Sequence, residues 1–270
     1  MCSVLEVSRS GYYAWRARAE STRSRENRRM LALIKEEHER SRGTYGAPRI
    51  HAVLKRRGEP CGLHRVERLM RAAGIRSKVR RKFRRTTDCD HAHPLAPNLL
   101  GQDFTVSGPD RVWVSDITYI ATDEGWLYLA STMDLYSRKI VGWAMSSCIT
   151  AELVIEALLM AIELRKPTPG LVHHSDRGVQ YAAHDFQRLL ERHGIACSMS
   201  AKGNCYDNAV QESFFHTLKG ELCDHEHYST RAQARTSVFE FIEVFYNRQR
   251  LHSSLGYCSP SEFEARRTAV

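Results

Sequence analysis

His173-His174-Ser175-Asp176-Arg177-Gly178-Val179-Gln180-Tyr181 and Asp207-Asn208-Ala209-Val210-Gln211-Glu212-Ser213-Phe214-Phe215 bound the stretch on which the reading of this chain turns. Between Asp176 and Glu212 lie 35 residues. Upstream, a third acid, Asp116, interrupts the apolar run Val112-Trp113-Val114-Ser115-Asp116-Ile117-Thr118-Tyr119-Ile120. An ionised carboxylate among core residues is costly unless something positive compensates it. No Lys or Arg stands within four residues of Asp116. A divalent metal is the simplest compensation, because hard cations take carboxylate oxygens and keep several waters. Two such ions can activate an attacking oxygen and stabilise a leaving one at a phosphodiester.

Working outward, the three acids fall on elements that a single fold can gather. Residues 111–120 read as a strand apolar on both faces, hence central in a covered sheet. Residues 126–133 and 140–145 read as two more strands. The short connections make the three an antiparallel meander. Residues 150–165 form a helix burying Leu153, Val154, Ala157, Leu158, Ala161 and Ile162, and it ends before Pro167. A short fourth strand, 171–174, delivers Asp176; the crossover helix can bring it beside the first strand. A helix over 182–193, a fifth strand over 195–199 and a long helix over 207–223 follow. The order β-β-β-α-β-α-β-α is that of a ribonuclease-H-like α/β fold with a mixed five-stranded sheet. On the last helix Asn208, Glu212, Phe215 and Lys219 share one face. Val210, Phe214 and Leu218 form a neighbouring apolar ridge expected to hold that helix to the sheet. Asp103, Asp134 and Asp207 are rival carboxylates; Asp134 reads as a turn acid and Asp207 as the cap of the last helix. His173 and His174 could assist at the site, or serve only as strand-end structure.

Charge divides the chain unevenly. Residues 1–100 carry 24 Lys and Arg against 10 Asp and Glu, whereas residues 101–270 carry 16 against 21. A basic front joined to a mildly acidic rear suggests a nucleic-acid-binding module tethered to a catalytic one. No apolar run reaches 18 residues and no secretory signal opens the chain, so the expectation is a cytoplasmic protein without a membrane span. The eight cysteines include no C-x-x-C pair, which argues against a zinc ribbon or a disulfide scaffold.

In that basic front, residues 3–18 look like the end of a helix-turn-helix, with Val7-Ser8-Arg9-Ser10 as turn and cap before Tyr12, Tyr13 and Trp15. The abrupt start reads as the remnant, 1–20, of a first such motif. Residues 24–41 form a charged helix with an apolar stripe. A helix opened by Pro48 and closed by Gly58 comes next, then a third burying Leu63, Val66, Leu69 and Met70. Arg65, Arg68 and Arg71 lie on its outer side. A helix-turn-helix domain over 21–75 fits this pattern, and so does a plain three-helix bundle with a basic surface. Residues 76–105 read as a basic linker able to track phosphates. Within it, Cys89-Asp90-His91-Ala92-His93 lacks a second ligand pair at zinc spacing, so a solvated linker is the better reading. The catalytic core spans 106–225. A helical extension, 226–270, carries Ala234, Val238, Phe241, Ile242 and Phe245 in a stripe that could pack on the core or on a partner subunit.

The three acidic motifs resemble the catalytic core of the DDE integrase and transposase superfamily, and more closely the OrfB transposases of the IS-three family of bacterial insertion sequences. The 35-residue gap is similar to that family's spacing. Tyr45-Gly46-Ala47-Pro48-Arg49-Ile50 resembles its helix-turn-helix region, and Tyr246-Asn247-Arg248-Gln249-Arg250-Leu251-His252-Ser253-Ser254-Leu255-Gly256-Tyr257-Cys258-Ser259-Pro260 its C-terminal signature. The resemblance implies magnesium-dependent cleavage at element ends and transfer of the 3′ hydroxyl to another phosphodiester. It implies two Mg2+ ions, replaceable by Mn2+, held by Asp116, Asp176 and Glu212, with Lys219 as the basic residue seven beyond the glutamate. Expected DNA contacts are Lys219, Arg65, Arg68, Arg71, Arg177, Asn208, Arg248 and Arg250. Expected partners are the terminal inverted repeats, target DNA, further copies of the chain on DNA, and an upstream reading-frame product as fusion or partner. Such a protein would associate with the nucleoid when bound. Two other readings stay open: a non-catalytic DNA-binding regulator, and a nuclease that only hydrolyses.

Overall fold

The computed structural model describes residues 2, 4–78, 96–101, 105–200 and 208–268, with side chains to residue 266. The chain divides after residue 78 into two compact units.

The first unit is all helical: α1 (Arg9–Ala17), α2 (Thr22–Arg40), α3 (Ala47–Arg56) and α4 (Leu63–Ala72). Serines start the first two helices. Ser8 Oγ accepts from the Gly11 amide at 3.0 Å and Ser21 Oγ from the Ser24 amide at 3.2 Å. Pro48 sits in the first turn of α3, where its missing N–H leaves no bond unmade. Met30 and Ile34 of α2, Ile50 and Leu54 of α3, and Val66 and Met70 of α4 make the core. Leu63 and Leu69, expected inside, are only half-buried. Helix α1 buries nothing, and its Tyr13 and Trp15 are exposed.

The second unit is built on a sheet of β1 (Val112–Thr122), β2 (Gly125–Asp134), β3 (Ile140–Ser146), β4 (Val172–Ser175) and β5 (Ala196–Met199), ordered β3-β2-β1-β4-β5. The first three strands are the expected antiparallel meander; β4 runs parallel to β1, and β5 to β4. Helix α5 (Ala151–Arg165) lies on one face and buries all six residues that its period predicts. Gly142 permits this close approach: a Cβ there would stand 2.1 Å from the Ala157 carbonyl oxygen. The helix expected over 182–193 is instead two, α6 (Val179–Ala182) and α7 (His184–Arg192), broken at Ala183, whose backbone is extended. Helix α8 (Ala209–Glu221) follows β5.

The C-terminal extension belongs to this unit. Helix α9 (Arg231–Glu240) continues as a π-helical turn over Phe241–Tyr246, and α10 (Pro260–Thr268) ends the described chain. Ala234, Val238, Phe241, Ile242 and Phe245 are all buried within it. Polar contacts fix the dock: Trp143 Nε1 donates to Glu243 at 2.8 Å, and the Asn247 amide pairs with both the N–H and C=O of Ile140 at 2.9 Å. Glu264 lies 3.0 Å from Arg165 and 3.1 Å from Lys139. A side-chain amide that pairs both ways with one backbone position fixes register, as a strand partner would.

Candidate active site

Strand register sets the first two acids. In the parallel pair of β1 and β4, Val114 stands opposite His174. Two residues further along each chain come Asp116 and Asp176, both half-buried. Asp116 Oδ1 accepts from the Ile117 amide at 2.7 Å, and Asp176 Oδ1 from the Gly178 amide at 2.9 Å. A Cβ at residue 178 would stand 2.9 Å from that same Asp176 oxygen, so any other residue there would push the carboxylate aside.

The third acid is placed by its neighbours. Asn208 Nδ2 donates to the Ser115 carbonyl at 3.1 Å, and Gln211 Nε2 donates to Ser131 Oγ at 2.5 Å. Ser131 lies directly opposite Asp116 in the β1–β2 ladder. Two amides therefore fasten the start of α8 to the sheet at the level of Asp116, and Glu212 is the next residue along. Asn208 occupies the cap position with its side chain turned to the sheet, not to the helix amides. The inward face of α8 is Gln211, Phe214, Phe215 and Leu218, so Gln211 and Phe215 take inward places where Val210 was expected. Val210 is half-buried. Two turns beyond Glu212, Lys219 Nζ sits 4.4 Å over the Tyr119 ring.

The electrostatics of this cluster are unbalanced. Burial first, then Asp176, and more weakly Glu212, hold the Asp116 carboxyl well above the ordinary carboxylate range. Lys219 opposes them weakly, and burial lowers its own ammonium pKa. Among the described residues the buried Tyr181 hydroxyl has no hydrogen-bond partner, and burial together with Asp116 and Asp176 raises its pKa. Asn208 Oδ1 and Gln211 Oε1 are likewise buried acceptors without a donor among the described residues. Among the described residues, no three of His, Cys, Asp and Glu converge closely enough to hold one metal ion. Even so, paired hard oxygen donors with uncancelled negative charge are the chemistry a divalent cation fits.

The other sequence candidates sort clearly. His173 and His174 are structural: His173 Nε2 lies 2.8 Å from Ser115 Oγ, and both nitrogens of His174 reach serines, Ser198 at 2.8 Å and Ser200 at 3.2 Å. Burial first, and then His174, push the His173 pKa down to about 3. Asp134 is the expected turn acid, accepting from the Asp110 and Ser137 amides. Arg68, Arg71 and Arg248 are exposed. Arg65 is half-buried, with Nε donating to Asn27 Oδ1 at 3.0 Å, and Arg177 Nε donates to the Ser200 carbonyl at 2.6 Å. Two expected DNA contacts are corrected. Arg250 is 3% exposed and its guanidinium grips Glu221 with two 2.7 Å bonds. Asn208 is 5% exposed and its amide is bonded to Ser115. Asp103, Asp207 and the Cys89–His93 cluster lie outside the described residues.

Models of the integrase core domain match residues 106–205 and 193–260, and a model of an HTH-like domain matches residues 24–83. A 31 kDa protein of insertion element IS600 from Shigella sonnei is 48% identical over 97% of both chains. Transposase InsF for insertion sequence IS3A from Escherichia coli is 46% identical over 100% of this chain and 94% of its own. The HTLV-2 integrase catalytic core in complex with magnesium covers 58% of this chain and 98% of its own at 17% identity and a TM-score of 0.45, a likeness too distant to carry function. Sheet topology and the domain matches define a ribonuclease-H-like integrase core joined to an HTH-like DNA-binding module. The chain belongs to the transposases of IS3-family insertion sequences, enzymes of DNA transposition that act through a DDE-type integrase core. Among the described residues no helix is long and apolar enough to cross a membrane.

Proposed function

We propose that Asp116, Asp176 and Glu212 are the catalytic carboxylates of this transposase and that they hold two Mg2+ ions, for which Mn2+ can substitute. The observation that carries the reading is the crowding at Asp116, which burial and both other acids hold well above the ordinary carboxylate range against the Ile117 amide and, more weakly, Lys219. Bound there, the ions would supply activation of an attacking oxygen and charge stabilisation of a leaving one. The chain's own part is positioning. The Gly178 amide orients Asp176, the Asn208 and Gln211 amides hold the turn that bears Glu212, and Lys219 offers a positive charge to a phosphate. Water is the first nucleophile, cutting at the element end, and the freed 3′ hydroxyl is the second, joining that end to target DNA.

The division of labour we infer follows the domains. Residues 21–75 grip the terminal repeats, with exposed Arg68 and Arg71 turned to DNA; residues 106–225 do the chemistry. Assembly of several copies on DNA, association with the nucleoid, and joint action with an upstream-frame product complete the proposal. Labelled DNA carrying the element ends, incubated with Mg2+ and wild type or Glu212→Gln, with and without the upstream product, tests it. Joined strands from wild type only are expected. Binding without cleavage or joining under every condition would replace it with the regulator reading, and cleavage without joining with the nuclease reading.

A further inference from the structure

We infer that the hollow at the β1–β2 hairpin, beside Lys219, is a nucleobase-stacking subsite that takes an unpaired base of the strand being processed. The inference rests on the proposal that this strand passes the three acids. The hollow has a volume of about 340 Å³, and Tyr119, Trp126, Lys219, Asp224, Glu226 and Tyr228 are among its walls. Trp126 is 49% exposed, a large aromatic left open inside a concave surface. Its ring meets Tyr119 edge-on, with centroids 4.9 Å apart, and Lys219 caps the Tyr119 ring.

The platform is braced from behind. Arg231 Nε donates to the Trp126 carbonyl at 3.0 Å, the Asp123 amide donates to the Tyr228 carbonyl at 3.0 Å, and Thr122 Oγ1 donates to the Gly125 carbonyl at 2.6 Å. An exposed indole on a braced main chain, with a cation on the neighbouring Tyr119 ring, is what base stacking with backbone tracking requires. The charges assign the parts of a nucleotide. Asp224 and Glu226 would repel a phosphate inside the hollow, yet carboxylates accept from the exocyclic amino group of a base. Lys219, on the side nearer the acids, is the phosphate contact. It stands seven residues from Glu212, about 10 Å along the helix at the ordinary rise. That is roughly three steps of a B-form strand, so the base concerned lies within a few nucleotides of the reacting phosphate.

The test uses the full chain and a duplex of the element end extended by a short single-stranded 3′ tail. Binding is read by fluorescence anisotropy without added metal, separately from cleavage. An abasic nucleotide is moved through the positions around the junction, against wild type, Trp126→Ala and Trp126→Phe, with thermal melting as the check on folding. We expect one position where base loss weakens wild type and Trp126→Phe by between about fivefold and about a hundredfold. Trp126→Ala should show that loss already and lose nothing further there. A 2-aminopurine at the same position should be quenched on binding wild type, a readout that survives if Trp126→Ala fails to fold. Losses that multiply at every position, an unquenched probe, or Trp126→Ala binding every duplex as wild type does would overturn the subsite; the last would leave the hollow to a basic protein segment. Failure of wild type to cleave with Mg2+ would instead strike the catalytic proposal, and the binding comparison would still decide the subsite.

Discussion

Helix α8 carries a carboxylate problem at each end, and the two are solved in opposite ways. At its C-terminal end Glu221 and Arg250, 6% and 3% exposed, meet in a forked pair with both bonds at 2.7 Å. Tyr246 packs against Phe214 at 4.7 Å and within 5.9 Å of the same guanidinium, so the charge is neutralised and walled in. At the N-terminal end Asp116 faces Asp176 and Glu212, and among the described residues no Arg or Lys pairs with it; the Ile117 amide and, more weakly, the Lys219 ammonium oppose the repulsion. Where a fold supplies the counter-charge itself, a buried acid is part of the scaffold. Where it sets acids against one another, the balance must come from something that binds, and perturbed carboxylates of this kind mark functional sites.

The sharpest break of this contrast is at the acids. Asn at 116, Asn at 176 or Gln at 212 should each lower strand cleavage by about 10³-fold or more. The Asp116→Asn chain, stripped of metal, should nonetheless melt higher than wild type at pH 8. The raised Asp116 pKa means that the native state holds this proton more tightly than the unfolded state. Its contribution is therefore complete at acid pH and is lost as pH rises above the ordinary carboxylate range. Melts in chelator at pH 5 and pH 8 read this directly, and a lower melting point for Asp116→Asn at pH 8 would undo the contrast.

At the other end, Arg250→Ala should destabilise the second unit by about 3–5 kcal/mol, because it removes the forked counter-charge from the buried Glu221. Urea unfolding measures that cost, and Glu221→Leu combined with Arg250→Met should recover most of it. A loss near zero for Arg250→Ala would show that the pair does not neutralise a buried charge. Smaller is the effect of His173, whose neutral ring is built into the sheet. The unfolded chain takes up its proton near the usual histidine value, whereas the folded chain resists it down to about 3. Stability is therefore complete above pH 6.5 and falls by about 2 kcal/mol by pH 5. His173→Gln should flatten that slope in urea titrations across the window.

The smallest stability change is expected at Gln211→Leu, about 1 kcal/mol, since the amide's two bonds to Ser131 are lost while an unsatisfied Oε1 is removed with them. Cleavage should still fall by about 10–100-fold, as for other residues that orient metal-holding side chains. A stability loss with cleavage unchanged would make Gln211 a packing residue only.

Much of this architecture can be read locally. The alternation and apolar runs of 111–145 announce the meander, the period of 151–165 names every buried residue of α5, and the motif around Asp176 sits where a strand ends. Asp116 stands out because it interrupts an apolar run, Asp176 because it directly follows one, and Glu212 because it lies beside an apolar helical ridge, all of them properties of neighbours in the chain. Other features depend on partners far away. Arg250 looks like a DNA contact until Glu221, 29 residues earlier, is found against it, and Asn208 until it meets Ser115, 93 residues earlier. The inward turn of Gln211, the dock of the C-terminal stripe on its own core and the shallow hollow around Trp126 are decided likewise by what approaches from another segment. A residue's type and spacing say which charge or hydrogen bond it can offer. Only the packed chain decides whether that offer is taken up inside the protein or left for DNA and metal, because desolvation and pairing act through space and not along the sequence.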